Sequence, residues 1–158
     1  MLKNYFDENL NFTNPWLDNL DYDWNELSPL GEKLTVPKHT TLFNQDEQSN
    51  YIYIVNHGRV RLSLISPDGE EKALAVIGSN GLLGECSLNE SERYATNAIT
   101  ASVTDLIRID RSVFIDHIEK NPKLYHQLLD LITQKYRLLC MHSMEISYTK
   151  ALSRVCKA

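Results

Sequence analysis

Cysteine is scarce. The three present, Cys86, Cys140 and Cys156, are odd in number and far apart, which excludes the disulfide framework of a small secreted domain. No CxxC pair occurs, so a zinc ribbon is not indicated. The sequence has no run of Lys and Arg and a formal net charge of −5, which argues against a nucleic-acid surface on this stretch of chain. Long apolar runs are missing too. Nothing approaches membrane-spanning length, and no basic-then-apolar leader opens the chain, so a soluble, cytoplasmic protein without membrane contact is expected. Repeats and low-complexity tracts are absent. No Ser/His/Asp or Cys/His arrangement rises above chance, so no enzyme, metal or cofactor is expected. At 158 residues the chain fits one domain, or one domain with a substantial appendage, and can bury a real core.

What the chain does have is a succession of strand patterns and tight turns between Tyr51 and Thr100. Val60, Leu62 and Leu64 alternate with Arg61, Ser63 and Ile65, the period of a half-buried strand. Asn56-His57-Gly58 and Ser66-Pro67-Asp68-Gly69 supply turns on either side, because glycine enters positive φ without a Cβ clash and proline fixes φ early. Lys72 to Ile77 returns as a strand. Gly78, Asn80, Gly81 and Gly84 then crowd one short segment, and Glu85 follows at once. A glycine-rich segment leaves backbone N–H groups uncovered, which suits an anion or a hydrogen-bonding ligand.

The order of these features resembles the cyclic-nucleotide-binding effector domain of Crp/Fnr-type regulators. Gly58 within IVNHGRVRL, the PDGEEK hairpin and LLGECSL match that family's strands and its Gly-Glu phosphate-binding cassette, from about Leu30 to the last residue. The resemblance implies a mainly β, α+β fold: an antiparallel jelly-roll (double-stranded β-helix) barrel with short flanking helices and one long C-terminal dimerisation helix. It implies four segments: an N-terminal loop and short helix over 1–28, the barrel over 29–120, the long helix over 121–147, and over 148–158 the start of a winged helix-turn-helix domain. On this reading the chain is a truncated regulator or its isolated effector domain, and DNA is contacted only through a domain beyond the sequence. Some relatives carry an iron–sulfur cluster on N-terminal cysteines; the first 85 residues here have none. Two alternatives stand beside this reading. One is a regulatory module that uses the same domain without DNA. The other is a cupin-type metalloenzyme, which needs clustered His and Glu ligands. Of His39, His57, His117, His126 and His142, only the first two fall in the barrel, and neither is near another histidine at ligand spacing.

Around this centre the sequence reads as follows. Tyr22 to Ser28 predicts a short helix with Trp24 and Leu27 on one side, and Trp16 and Leu17 are expected against the barrel. Tyr94 to Thr100 and Asp105 to Asp110 read as strands. Ser112 is a candidate N-cap for a helix over Val113 to Glu119, and Pro122 opens a long helix to about Ser147. Two 4-3 stripes run along that helix. One is Leu128, Ile132, Lys135, Leu139, His142 and Ile146. The other is Tyr125, Leu129, Ile132, Tyr136, Leu139, Ser143 and Ile146, and is the more apolar. A homodimer through this helix is expected, with Leu128, Ile132, Lys135, Tyr136, Leu139, His142 and Ile146 at the seam.

The ligand site expected from the resemblance comprises Leu83, Gly84, Glu85, Cys86, Tyr94, Ala95, Thr96 and Lys135, and its ligand is a small-molecule effector. In nucleotide-binding members the cassette Glu accepts from the ribose 2′-OH and a downstream Arg pairs with the cyclic phosphate. Glu85 fills the acidic position and is open to a purely structural role as well. The arginine position falls at Ala95, with Thr96 beside it and Arg93 two residues early, about 6–7 Å away at strand rise. Alanine leaves a phosphate without its strongest partner, which demotes cyclic AMP and cyclic GMP. Tyr94-Ala95-Thr96, Gly78-Ser79-Asn80 and Lys135 in TQKY resemble the subgroup that senses chlorinated phenols, in which a helix lysine meets the phenolate. That resemblance implies a halogenated aromatic effector, although Ala75 is small where that subgroup has an aromatic wall. Cys86 reads as a small buried thiol.

Overall fold

In a computed structural model, the structure describes residues 16, 17, 20–88 and 92–155. The expected N-terminal loop over 1–15, the connection at 89–91 and Cys156 lie outside the described residues, as do the side chains of Trp16, Leu17, His142 and Ile146. Nine strands form two sheets among these residues: β1 (Trp16–Leu17), β2 (Glu32–Val36), β3 (Thr41–Phe43), β4 (Tyr51–His57), β5 (Val60–Ile65), β6 (Glu71–Ile77), β7 (Leu82–Leu83), β8 (Asn97–Thr100) and β9 (Thr104–Asp110). One sheet runs β1-β6-β5-β8-β3 and the other β2-β9-β4-β7. Every pairing is antiparallel except β1 with β6. The helices are α1 (Arg111–Glu119) and α2 (Pro122–Val155). This is the expected antiparallel jelly roll.

The strands form where the patterns place them. In β4, Ile52, Tyr53, Ile54 and Val55 are all buried, so both faces of this strand are covered. The PDGEEK hairpin closes with the Ser66 N–H donating to the Glu70 carbonyl at 2.9 Å and the Gly69 N–H to the Ser66 carbonyl at 2.9 Å. The strand expected from Tyr94 begins only at Asn97. Tyr94 instead exchanges backbone hydrogen bonds with the turn before β4, its N–H reaching the Glu47 carbonyl at 3.0 Å and its carbonyl accepting from Asp46 at 2.8 Å. α1 begins two residues ahead of the expected Val113, with Asp110 at the N-cap position and no side-chain cap, so Ser112 lies inside the helix. Trp24 and Leu27 are buried together as expected, but on a turn leading into a 3₁₀ turn at Ser28–Leu30 rather than on a helix.

The barrel unit comprises residues 16–127, and α2 from Leu128 onward belongs to a second unit. α2 continues past Ser147 to Val155. It carries two apolar faces. Leu124, Leu128, Leu131 and Leu138 are buried, whereas Tyr125, Leu129, Ile132, Tyr136 and Leu139 are exposed. The exposed set is the second, more apolar 4-3 stripe.

Burial breaks the expected alternation at one place. Ser63 should face solvent with Arg61 and Ile65, yet it is 1% exposed. It lies at a register shift against β6 and opposite Asn97 of β8. The Ser63 hydroxyl and the Asn97 Nδ2 both lack a hydrogen-bond partner, although the Asn97 Oδ1 accepts from the Gln45 N–H at 3.0 Å. An unpaired buried hydroxyl costs free energy that a methyl group does not. Ser63→Ala should therefore raise stability by about 1 kcal/mol, read as a higher urea midpoint with unchanged slope.

Candidate functional site

β7 delivers the cassette. Leu82 and Leu83 are fully buried and pair with Ile54 and Tyr53 of β4, which fixes the position of the next residue, Gly84. Gly84 takes φ +90°, and a Cβ there would lie 3.1 Å from the Tyr51 carbonyl oxygen and 3.2 Å from the Tyr94 ring. The left-handed backbone favours glycine, and a Cβ would also need its neighbours to give by a few tenths of an ångström. Glu85–Ser87 then forms a 3₁₀ turn. The Ser87 hydroxyl donates to the Gly84 carbonyl at 2.6 Å and shares a 2.6 Å hydrogen bond with the Ser49 hydroxyl. Glu85 is 6% exposed, with the Cys86 thiol donating to its Oε1 at 3.6 Å. Cys86 itself is exposed, contrary to the buried thiol read from the sequence. It is the middle residue of the turn, between two residues that are buried.

Tyr94 is buried, and its ring stacks on Phe43 with centroids 3.9 Å apart and planes 13° apart. Its hydroxyl donates to the Tyr51 carbonyl at 2.8 Å and accepts from the Tyr51 N–H at 3.2 Å. Tyr53, in the same aromatic group, has its hydroxyl pushed up to about 12, first by burial and then by Tyr94. It stays a neutral donor, reaching the Leu42 carbonyl at 3.4 Å.

Ala95 is exposed and Thr96 half-buried. The neighbouring guanidinium groups are engaged elsewhere. Arg93 donates from Nη1 to the Asp46 carbonyl at 2.6 Å. Arg111, at the start of α1, donates from Nε to the Ser87 carbonyl at 3.0 Å and pairs through Nη1 with Glu92 at 3.0 Å. Arg111 thus supports the cassette turn, a role the sequence did not reveal because it comes from an element 24 residues away. Lys135 is half-buried on α2, within the unit that begins at Leu128. Among the described residues no group of three or more His, Cys, Asp and Glu could hold a metal ion, and no helix is long and apolar enough to cross a membrane.

The cassette turn, its left-handed glycine and its buried glutamate sit inside the span, residues 33–121, that matches the profile of the cyclic nucleotide-binding domain. The chain belongs to that family. A CRP-like cAMP-activated global transcriptional regulator of Mycobacterium tuberculosis is 26% identical over 121 residues, covering 77% of this chain and 54% of that protein. The cyclic AMP receptor protein of Thermus thermophilus is 28% identical over 122 residues, covering 77% of this chain and 56% of that protein. The crystal structure of the Thermus thermophilus catabolite activator protein aligns with a TM-score of 0.69 at 25% identity, over 83% of this chain and 62% of that one. The chain thus spans little more than half the length of the curated relatives it matches. It is a CRP-like cyclic nucleotide-binding domain, of the kind those regulators carry.

The cyclic nucleotide-binding domain's dependence on Gly84 can be separated into two terms. Gly69 also has positive φ, +85°, but nothing lies within 4 Å of its Cβ position. Gly69→Ala should cost about 1 kcal/mol from backbone strain alone. Gly84→Ala carries the same strain plus the contacts with Tyr51 and Tyr94, and should cost about 2–3 kcal/mol in urea unfolding.

Proposed function

We propose that this chain is the effector-sensing and dimerising part of a Crp/Fnr-type transcription regulator, binding a small molecule other than a cyclic nucleotide. The observation that carries the choice of effector is Ala95, the residue at the family's phosphate-arginine position. A cyclic phosphate bound beside it would leave water with no bidentate guanidinium in return, and Arg93 is tied to the Asp46 carbonyl. A halogenated phenol would place fewer demands on that position. Lys135 is the residue proposed to meet its phenolate charge, on the strength of the sequence resemblance, and Leu83, Gly84, Glu85, Cys86, Tyr94, Ala95 and Thr96 form the proposed cassette side. Because the Tyr94 hydroxyl is occupied by Tyr51, its contribution to the ligand would be its ring. The relatives named for cyclic AMP favour a second reading, in which the ligand is cyclic AMP and the phosphate is held by the cassette's backbone N–H groups.

The exposed stripe Tyr125, Leu129, Ile132, Tyr136 and Leu139 supports a homodimer, since a second copy would cover it at coiled-coil spacing. Leu128 is already covered within one chain, so its part in such a seam would be supporting. Effector binding would shift the population between two arrangements of the paired helices, and with them any DNA-binding domains that follow.

A thermal-shift panel of cyclic AMP, cyclic GMP, ortho-chlorinated phenols and their unchlorinated parents decides between the readings. At one hundred times its Kd a ligand should raise Tm by about 5–10 °C. The chlorophenols should give that shift and lose it in Lys135→Ala. A shift with cyclic AMP alone would establish the second reading. For the dimer, Ile132→Glu should raise the dimer dissociation constant by about two to four orders of magnitude, from the apolar burial lost on two copies, as read by sedimentation. An unchanged dimer would remove this helix face from the interface.

A further inference from the structure

We propose that residues 20–26 act as a strap that couples the loop leading into the cassette to the first turns of α2. One set of anchors fixes it to that loop. The Leu20 N–H donates to the Ser79 carbonyl at 3.3 Å and its carbonyl accepts from the Asn80 Nδ2 at 2.9 Å, while the Trp24 Nε1–H donates to the Asn80 carbonyl at 2.9 Å. Asn80 sits at φ +61°, an uncommon region for a residue with a side chain. It is followed directly by Gly81 and the buried Leu82 and Leu83 that place Gly84. The other set clamps it to α2. The Asp23 N–H donates to the Gln127 Oε1 at 3.0 Å and the Gln127 Nε2 returns a bond to the Asp23 carbonyl at 2.9 Å. Glu26 accepts from the Asn121 side chain just ahead of the helix.

The two sets of anchors interleave along the segment, and Trp24 between them is buried. The segment also borders a cavity of about 480 Å³ lined by Tyr22, Trp24, Lys33, Ile54, Asn56 and Ile107, among others. Close-packed interiors have low compressibility and transmit strain. Asp23 and Trp24 are adjacent residues bonded to different elements, so a displacement of one is passed directly to the other. A movement of Asn80 pulls on Trp24, and the Asp23–Gln127 clamp carries it to the helix. Coupling of this kind acts equally in both directions. It does not depend on which effector the cassette takes, so its test uses the full chain without any ligand.

The test is residue-resolved amide hydrogen exchange on Trp24→Phe, which removes the indole N–H with part of the ring area and keeps an aromatic ring, and on Gln127→Ala, which opens the clamp. Gln127→Ala should speed exchange about fivefold at the far anchor, in the amides of Asn80 and Val55, which donate to the Val55 and Gly81 carbonyls respectively. Trp24→Phe should speed exchange by a similar factor at Tyr125, whose amide donates to the Asn121 carbonyl. The β2–β9 ladder should not change in either variant. Changes confined to the mutated anchor would overturn the strap, and so would a uniform rise across all amides, which would mean only that the whole domain had lost stability.

Discussion

The start of β4 is where the site is set. The Tyr94 hydroxyl saturates both backbone groups of Tyr51, so the residue that opens the strand is tied to the loop that leads into β8. Its ring, stacked on Phe43, then lies close to Gly84, 3.2 Å from where a Cβ would stand. Other elements converge on the same point. Arg108 lies over the Tyr51 ring at 4.7 Å, and the N–H of Arg111 donates to the Asn50 carbonyl at 2.9 Å. The buried Tyr94 phenol and the Arg111 amide thereby hold the start of β4 against the cassette turn and α1. The direction in which Glu85 is presented follows from that meeting.

The proposed choice of effector turns on where the charges around the cassette lie. The positive charges nearby are spent on the protein itself: Arg93 on a backbone carbonyl, Arg111 on another carbonyl and on Glu92. They hold the frame of the turn. Around the turn lie a left-handed glycine, a buried carboxylate, an exposed alanine and a half-buried threonine. On the proposed reading, such a set would discriminate by shape and by a few hydrogen bonds more than by charge.

Much of the fold was legible because its punctuation is local. The PDGEEK turn, the glycines and Pro122 act through φ at their own positions, and they are where the sequence puts them. The stripes on α2 were legible as a pair but not as a choice. Both share Ile132 and Leu139, and only the burial of Leu128, Leu131 and Leu138 decides which face is left over. The strand expected from Tyr94 failed because its backbone partners, Asp46 and Glu47, belong to a turn far away in sequence. Ser63 and Arg111 were missed for the same kind of reason. A serine inside a β5 covered on both faces and an arginine behind a turn acquire meaning only from what packs on them. Cassette identity could be read from Gly84 and Glu85, whereas the links that hold it, Trp24 to Asn80 and Asp23 to Gln127, join residues 56 and 104 positions apart.

The short parallel strand β1 has a practical bearing. It hydrogen-bonds to the end of β6, pairing Trp16 and Leu17 with Val76 and Ile77, and so covers part of what would otherwise be a bare sheet margin. The span that defines the family begins only at residue 33. A fragment cut at that boundary would keep the cassette and lose both β1 and the buried Trp24 and Leu27. It would expose main-chain donors and acceptors along β6 together with freshly uncovered apolar surface, the combination that leads strands of separate molecules to zip together and precipitate.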